Sequence, residues 1–131
     1  MQQKKLKVYF TSDVHGYFYP TTYGDMDVKP VGLFGCAADF NKDDETLIID
    51  GGDILQGSAF AYYCRQVANS PEVIADIMND CGYDYYTLGN HDFNYGLDFR
   101  RHIAIEITVY VCARISWMRK ETPCFHGNFI R

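Results

Sequence analysis

YDYYTLGNHDFNYG (residues 83–96) joins an apolar run to a turn that contains an amide, an imidazole and a carboxylate side by side. The run YDYYTL is typical of a buried strand, and Asn90, His91 and Asp92 follow at its carboxyl end. A solvated loop uses polar residues freely, but it rarely follows such a strand directly. The pattern therefore indicates that the polar side chains of this turn bind a ligand.

The same arrangement occurs at two earlier points of the chain. KLKVYFTSD (residues 5–13) alternates like a strand and runs into SDVHG (residues 12–16), and the apolar strand ETLIID (residues 45–50) runs into DGGD (residues 50–53). Helices are predicted over residues 31–42, 58–69, 70–82 and 95–106, and a fourth strand over residues 108–113. This alternation predicts an α/β fold with a mostly parallel sheet, in which the working residues gather beyond the carboxyl ends of the strands.

The residues at these strand ends are of the types that bind metal ions in proteins. Asp13 and His15 are two positions apart, so an extended exit from the strand would place them on one side. Asp53 supplies a second carboxylate after paired glycines, and Asn90 supplies a neutral amide oxygen. This donor set fits a pair of divalent ions such as manganese, zinc, iron or cobalt, with Asp53 as the bridge and a shared hydroxide as nucleophile. His91 is then free to act on the substrate as a proton donor or charge stabiliser.

Each motif has a simpler structural explanation when it is taken alone. An Asp-x-His pair is common, and a Gly-Asp pair usually marks a turn. His102 lies beside two arginines and is expected on a solvated helix face, and His126 has no predicted role. Tyr83, Tyr85 and Tyr86 are expected in the core and rim of the sheet rather than as a stacking platform. The metal interpretation depends on the three motifs occurring together, all at strand ends.

Composition limits the other classes of function. The chain has 131 residues, 12 basic and 17 acidic, and a net charge of -5, which argues against a surface for long nucleic acid. No apolar run approaches the ~20 residues that a membrane span needs, and the first residues lack the apolar region of a secretory signal. The chain as written is therefore predicted to be cytoplasmic. The five cysteines are scattered and expected to be reduced, mostly buried thiols: Cys36, Cys64, Cys81, Cys112 and Cys124.

SDVHG, GGDILQGS (residues 51–58) and GNHDFNYG (residues 89–96) resemble the first three motif blocks of the calcineurin-like metallophosphoesterase superfamily. The resemblance covers residues 7–113. It is greatest to the branch of 5'-nucleotidases and 2',3'-cyclic-nucleotide 2'-phosphodiesterase/3'-nucleotidases, because ILQGS stands where protein phosphatases carry Asp-Arg-Gly.

The resemblance implies the role of each residue. Asp13 and His15 would bind the first metal, Asp53 would bridge, Asn90 would bind the second metal, and His91 would be catalytic. Asp92 is placed beside His91 as a second candidate catalytic residue. Some relatives hold the histidine with a carboxylate three residues later, where this chain has Asn94. The substrate would be a small nucleotide, and relatives are often exported.

The resemblance also implies parts that this sequence does not supply. The family completes its metal sites with a later histidine and a Gly-His-x-His block from the second half of a four-layer α/β/β/α sandwich, and a C-terminal domain binds the base. CFHGNF (residues 124–129) is not that block. The predicted organisation is thus the N-terminal part of a metallophosphoesterase domain over residues 1–113 and an aberrant or truncated tail over residues 114–131.

The tail has a specific hypothetical origin. Under this hypothesis the chain is frameshifted near Arg114 and prematurely ended: the neighbouring frame reads an aspartate codon across Trp117 and Met118 and, with permitted codons for their neighbours, can spell a family-like continuation. The predicted function is a metal-dependent phosphoester hydrolase acting on nucleotides. The alternative is a catalytically incomplete fragment in which one face of the sheet lacks its partner layer. The sequence does not determine the nucleotide, the metals or the oligomeric state.

Overall fold

The computed structural model describes residues 5–21, 24, 27–70, 72–96, 98, 110 and 111. Their elements in chain order are β1 (Lys7–Thr11), α1 (Gly32–Ala37), β2 (Thr46–Asp50), α2 (Ala59–Gln66), α3 (Glu72–Asp80), β3 (Tyr85–Tyr86), a 3-10 turn (His91–Phe93) and β4 (Tyr110–Val111). This order confirms the predicted alternation as far as β3, and β4 lies within the predicted fourth strand. The helix predicted over residues 95–106, the boundary at residue 113 and the tail fall largely or wholly outside the described residues.

The four strands form one parallel sheet in the order β1-β2-β3-β4. β1 and β2 pair over their whole lengths, from Lys7 opposite Thr46 to Thr11 opposite Asp50. Each successive strand is added on the same side of the one before it. The carboxyl ends of β1, β2 and β3 therefore lie along one edge of the sheet. The predicted α/β fold class is confirmed.

β3 is shorter than the strand predicted over residues 83–88. The Asp84 carboxylate accepts the N–H group of Ile48 at 2.9 Å and so occupies a place in the ladder that a backbone carbonyl would otherwise take. Further along, the N–H group of Thr87 donates to the carbonyl of Asp50 at 3.0 Å. The chain thus runs beside β2 beyond the regular strand, and this contact carries residues 87–92 to the edge of the sheet.

The helices pack on the sheet through short apolar stripes. In α3 the buried residues Ile74, Ala75 and Met78 recur at helical spacing and face Ile48 of β2 and its neighbours in one core. Burial of each large aliphatic side chain contributes about 1.5–3 kcal/mol. Tyr83 and Tyr86 are also buried, 5% and 3% exposed, which confirms that they belong to the core.

Two helices begin at contacts with the loop that follows β1. The N–H groups of Leu33 and Phe34 in α1 donate to the carbonyls of Tyr17 and Phe18, at 3.0 and 2.8 Å, and so find partners that the first turn of a helix lacks. The side chain of Ser58 caps α2 by accepting the N–H group of Ala61. Both helices are therefore fixed against the segment after β1.

One side of β1 carries apolar residues that remain open to solvent. Leu6, Val8 and Phe10 alternate along the strand and are 64%, 50% and 64% exposed, whereas Tyr9, on the opposite side, stacks against Phe40 with ring centroids 5.0 Å apart. We call Leu6, Val8 and Phe10 the outer face.

The described cysteines are free thiols that differ in burial. Cys64 is buried, Cys81 is partly buried and Cys36 is exposed, so Cys36 is an exception among the thiols that were predicted to be mostly buried. Burial raises the pKa of the Cys64 and Cys81 thiols. Within the described part of the chain, no helix has the length and apolar character required to cross a membrane.

Candidate metal centre

Three loops meet at the carboxyl edge of the sheet, and backbone hydrogen bonds tie them together. The N–H groups of Asp13 and His15 donate to the carbonyls of Gly52 and Asp53, at 3.0 and 2.8 Å. The β1 loop and the β2 loop therefore lie side by side, as the sequence predicts for residues that follow neighbouring parallel strands.

Side chains of the first two loops converge on one point. Asp13, His15 and Asp53 each offer a ligand atom, and these atoms all lie within 4.8 Å of one another. The imidazole Nδ1 of His15 is 2.8 Å from the carbonyl oxygen of Gln56, to which it donates its proton. The neutral ring then leaves Nε2 with a free lone pair, and this is the tautomer that a metal ligand needs. The donor set and its spacing fit a divalent cation.

The backbone that produces this convergence differs from the predicted extended exit. Asp13, His15 and Asp53 all have left-handed backbone conformations, with φ angles of 57°, 53° and 57°. A non-glycine residue pays roughly 1–2 kcal/mol for this conformation, and such strain concentrates at functional sites. The expectation that Asp13 and His15 come together is met, but the reason given for it, alternation along an extended chain, is wrong.

Glycines allow the loops to approach one another. A Cβ atom on Gly57 would lie 2.7 Å from the Cβ of His15, and one on Gly89 would overlap the Asp53 carboxylate. The third loop can therefore press against Asp53 only because residue 89 has no side chain.

The third loop brings Asn90 and His91 to the same edge. The His91 N–H group donates to Oδ1 of Asp53 at 2.6 Å, and Asn90, immediately before it, is exposed to solvent. The ring centroids of His91 and His15 are 5.2 Å apart. Five of the six predicted site residues thus lie on loops at this edge of the sheet: Asp13, His15, Asp53, Asn90 and His91.

His91 is held by Asn94, the residue that stands where some relatives carry a carboxylate. Nδ2 of Asn94 is 2.9 Å from Nδ1 of His91 and 3.3 Å from Oε1 of Gln56. With the amide as donor to Nδ1, the proton of the neutral imidazole sits on Nε2. An amide can therefore orient the ring in this chain without placing a negative charge beside it.

Asp92, the sixth predicted site residue, is 1% exposed. Its Oδ1 accepts the N–H groups of Ile54 and Leu55, both at 2.9 Å, and its Oδ2 accepts those of Asp53 and Gly89, both at 2.8 Å. These contacts use the acceptor capacity of both oxygens. Sequence reasoning did not anticipate them.

Asp50 is a further acid at this edge that the sequence analysis missed. It is fully buried, and its oxygens accept the N–H group of Gly52 at 2.8 Å and the hydroxyl of Thr11 at 2.6 Å. The Thr11 hydroxyl also lies 2.6 Å from the Tyr83 hydroxyl. Burial, with a smaller contribution from nearby carboxylates, raises the pKa of Asp50 to about 6. Its position as the last residue of an apolar strand was the available signal.

Comparisons with known proteins agree with this geometry. The chain is 35% identical over 112 residues to the trifunctional nucleotide phosphoesterase YfkN of Bacillus subtilis, covering 74% of this chain and 8% of that protein. It is 30% identical over 135 residues to a 2',3'-cyclic-nucleotide 2'-phosphodiesterase/3'-nucleotidase of Salmonella typhimurium, covering 96% of this chain and 21% of the relative. No protein-family model matches.

Solved structures show the same fold. The crystal structure of the calcineurin-like phosphoesterase YfkN from Bacillus subtilis superposes with a TM-score of 0.71 at 29% identity, over 82% of this chain and 36% of that one. A Staphylococcus aureus protein assigned as a 5'-nucleotidase superposes with a TM-score of 0.71 at 35% identity, over 80% of this chain and 22% of that one. The chain thus spans less than a quarter of the length of the curated relatives above.

Proposed function

Since the chain is related to calcineurin-like phosphoesterases of the 5'-nucleotidase and cyclic-nucleotide phosphodiesterase branch, we propose that it acts in metal-dependent hydrolysis of small nucleotide phosphoesters. The observation that carries the proposal is the meeting of Asp13, His15 and Asp53 within 4.8 Å at the edge of a parallel sheet. Two carboxylates and an imidazole at this spacing form a cation site, and a cation reverses the local charge that would otherwise repel a phosphate.

The ligand assignment in this proposal follows the loops. Asp13 and His15 would hold one ion, Asn90 would hold a second, and Asp53 would contribute to both sites. Bound divalent ions would neutralise the phosphate and lower the pKa of the attacking water. The choice among manganese, zinc, iron and cobalt depends on ligand geometry and metal supply rather than on these residue types alone.

His91 is the residue that we assign to the substrate. Its ring lies beside His15, and the Asn94 amide leaves the ring proton on Nε2. From there Nε2–H donates a hydrogen bond to a phosphate oxygen and stabilises the negative charge that develops on it. Asn94 fixes the orientation of the ring during this step.

Metal content and turnover test the proposal together. The chain is loaded with Mn²⁺ or Zn²⁺, dialysed and assayed for bound metal and for hydrolysis of bis(p-nitrophenyl) phosphate and 2',3'-cyclic adenosine monophosphate. We expect about two ions per chain, as a dinuclear site requires. We also expect turnover that Asp53→Asn abolishes and that the exposed-site control Asp44→Asn leaves unchanged.

The role of His91 has its own test. We expect His91→Ala to lower turnover by about 10²–10³-fold, the usual effect of removing one hydrogen-bond donor to a developing charge, while metal content stays the same. Equal loss of metal and turnover would identify His91 as a ligand instead.

A second candidate function is cation binding without turnover. The described residues provide three His or Asp ligands in one cluster, whereas two four-coordinate ions need more donors than these and Asn90 supply. Fewer than one ion per chain and no hydrolysis of either substrate would favour this alternative and contradict the first proposal.

A further inference from the structure

The carboxylate of Asp92 connects the loop that carries Asp53 with the loop that carries His91. Three of its four hydrogen-bond partners are the consecutive N–H groups of Asp53, Ile54 and Leu55, and the fourth is the N–H group of Gly89. We propose that Asp92 is a positioning residue for the cation site: it acts through Asp53 and touches neither metal nor substrate. This inference rests on the proposed function of the site.

The connection between the two loops is reciprocal. The Asp53 N–H group donates to Asp92 at 2.8 Å, while the Asp53 carboxylate accepts the His91 N–H group at 2.6 Å. Each loop thus supplies both a donor and an acceptor to the other, across a sequence separation of 38 or 39 residues. A shift of either loop would lengthen both hydrogen bonds. The position of the Asp53 carboxylate is therefore coupled to that of Asp92.

Asp53 needs such support because of its backbone conformation. Its φ angle is 57°, which a residue with a side chain adopts only when its surroundings impose it. Consecutive N–H groups that point at one anion form a nest, and an ionised carboxylate fills that nest with four acceptor sites. Removing the anion would leave buried donors without partners, and the loop would relax to satisfy them.

The same contacts separate Asp92 from the catalytic role considered in the sequence analysis. Both oxygens are engaged and the residue is 1% exposed, so proton exchange with a substrate would require that several buried hydrogen bonds break first. Asp53 and His91, by contrast, reach the edge where the cation ligands meet. Asp92 therefore positions the residues of the site while it remains buried itself.

Asp92→Asn tests this proposal, because the amide has nearly the same volume but presents N–H groups to two backbone donors. By titration calorimetry of the whole chain with Mn²⁺, we expect the variant to bind about 10–100-fold more weakly than the unaltered chain, the usual effect of losing a group that orients a metal ligand. The control is Ile74→Ala, which removes a fully buried side chain from α3, outside both loops. Measured below its melting temperature, this control should keep the affinity of the unaltered chain even though it is less stable.

The outcomes separate the two proposals. Affinity within twofold of the unaltered chain for Asp92→Asn overturns the positioning role, as does an equal loss of affinity in Ile74→Ala, which would indicate general destabilisation. An unaltered chain that binds no Mn²⁺ overturns the proposed function and the inference with it. Should Asp92→Asn fail to fold, Asp92→Glu provides the second variant: it keeps the charge but displaces it, and unchanged Mn²⁺ affinity in that variant contradicts the proposal.

Discussion

The carboxyl end of β1 and the outer face of β1 are two different kinds of surface. At its carboxyl end the chain enters loops whose polar groups are paired across the strands, as in the contacts from Asp13 to Gly52 and from His15 to Asp53. Along the strand itself, Val8 and Phe10 of the outer face expose apolar side chains to solvent. The geometry of the site is therefore imposed by hydrogen bonds among its own loops, whereas the stability of the sheet comes from its other face and the helices packed there.

Gly89→Ala should disrupt the loops at the carboxyl edge of the sheet and have the largest effect of the substitutions considered. The added Cβ would overlap the Asp53 carboxylate and crowd its backbone nitrogen, so the third loop and Asp53 cannot both keep their places. We expect Mn²⁺ affinity to fall by at least about 100-fold, the upper end of effects seen when a metal ligand loses its orientation. Gly24→Ala is the control, because a Cβ there meets nothing within 4 Å. Unchanged affinity in Gly89→Ala would show that the loops are not in contact.

Substitutions on the two faces of the sheet test whether its stability comes from the covered face. Ile48 is 1% exposed, and Ile48→Ala should lower the free energy of unfolding by about 2–5 kcal/mol. Phe10 is 64% exposed, and Phe10→Ser should change it by no more than about 0.5 kcal/mol. Urea unfolding measures both. A cost for Phe10→Ser that approaches the cost for Ile48→Ala would mean that the outer face is covered in solution.

Asp50 should make stability depend on pH. Its pKa is about 6 in the folded chain and 3.8 in the unfolded chain, so folding favours the protonated form. The stabilisation is fully present below pH 3.8 and is lost as pH rises through about 6. The loss is on the order of 2 kcal/mol. Urea unfolding between pH 4 and pH 7 should show this slope in the unaltered chain and a smaller one in Asp50→Asn. Identical slopes would contradict the assignment.

An effect smaller than that of Asp50 is expected at the junction between a loop and a helix. The Ser58 hydroxyl accepts the Ala61 N–H group and donates to the carbonyl of Gly16 at 2.6 Å. Ser58→Ala removes this cap and should cost about 1 kcal/mol of unfolding free energy. Val67→Ala at the exposed end of the same helix serves as the control. A loss below about 0.3 kcal/mol would show that the cap does not stabilise the folded chain.

Sequence reasoning identified the parts of the fold that depend on local pattern. The strand ends at Asp13, Asp53 and Asn90 follow from apolar runs that stop at polar residues, and parallel pairing then brings those ends to one edge. The left-handed backbone of Asp13 and His15 could not be predicted, because non-glycine residues adopt it in only a few per cent of cases and no local pattern marks which ones do. The burial of Asp92 was missed because its four partners are backbone groups, which leave no residue-specific signal in a sequence.

The left-handed torsion angles at Asp13, His15 and Asp53 also bear on any attempt to isolate the cation site as a short peptide. A free SDVHG peptide would seldom visit such torsion angles at its aspartate and histidine, so it would hold the right donors in the wrong arrangement. Under the proposed function, ion affinity would consequently be a property of the assembled sheet, and thermal melting of the sheet should release a bound ion in the same cooperative step.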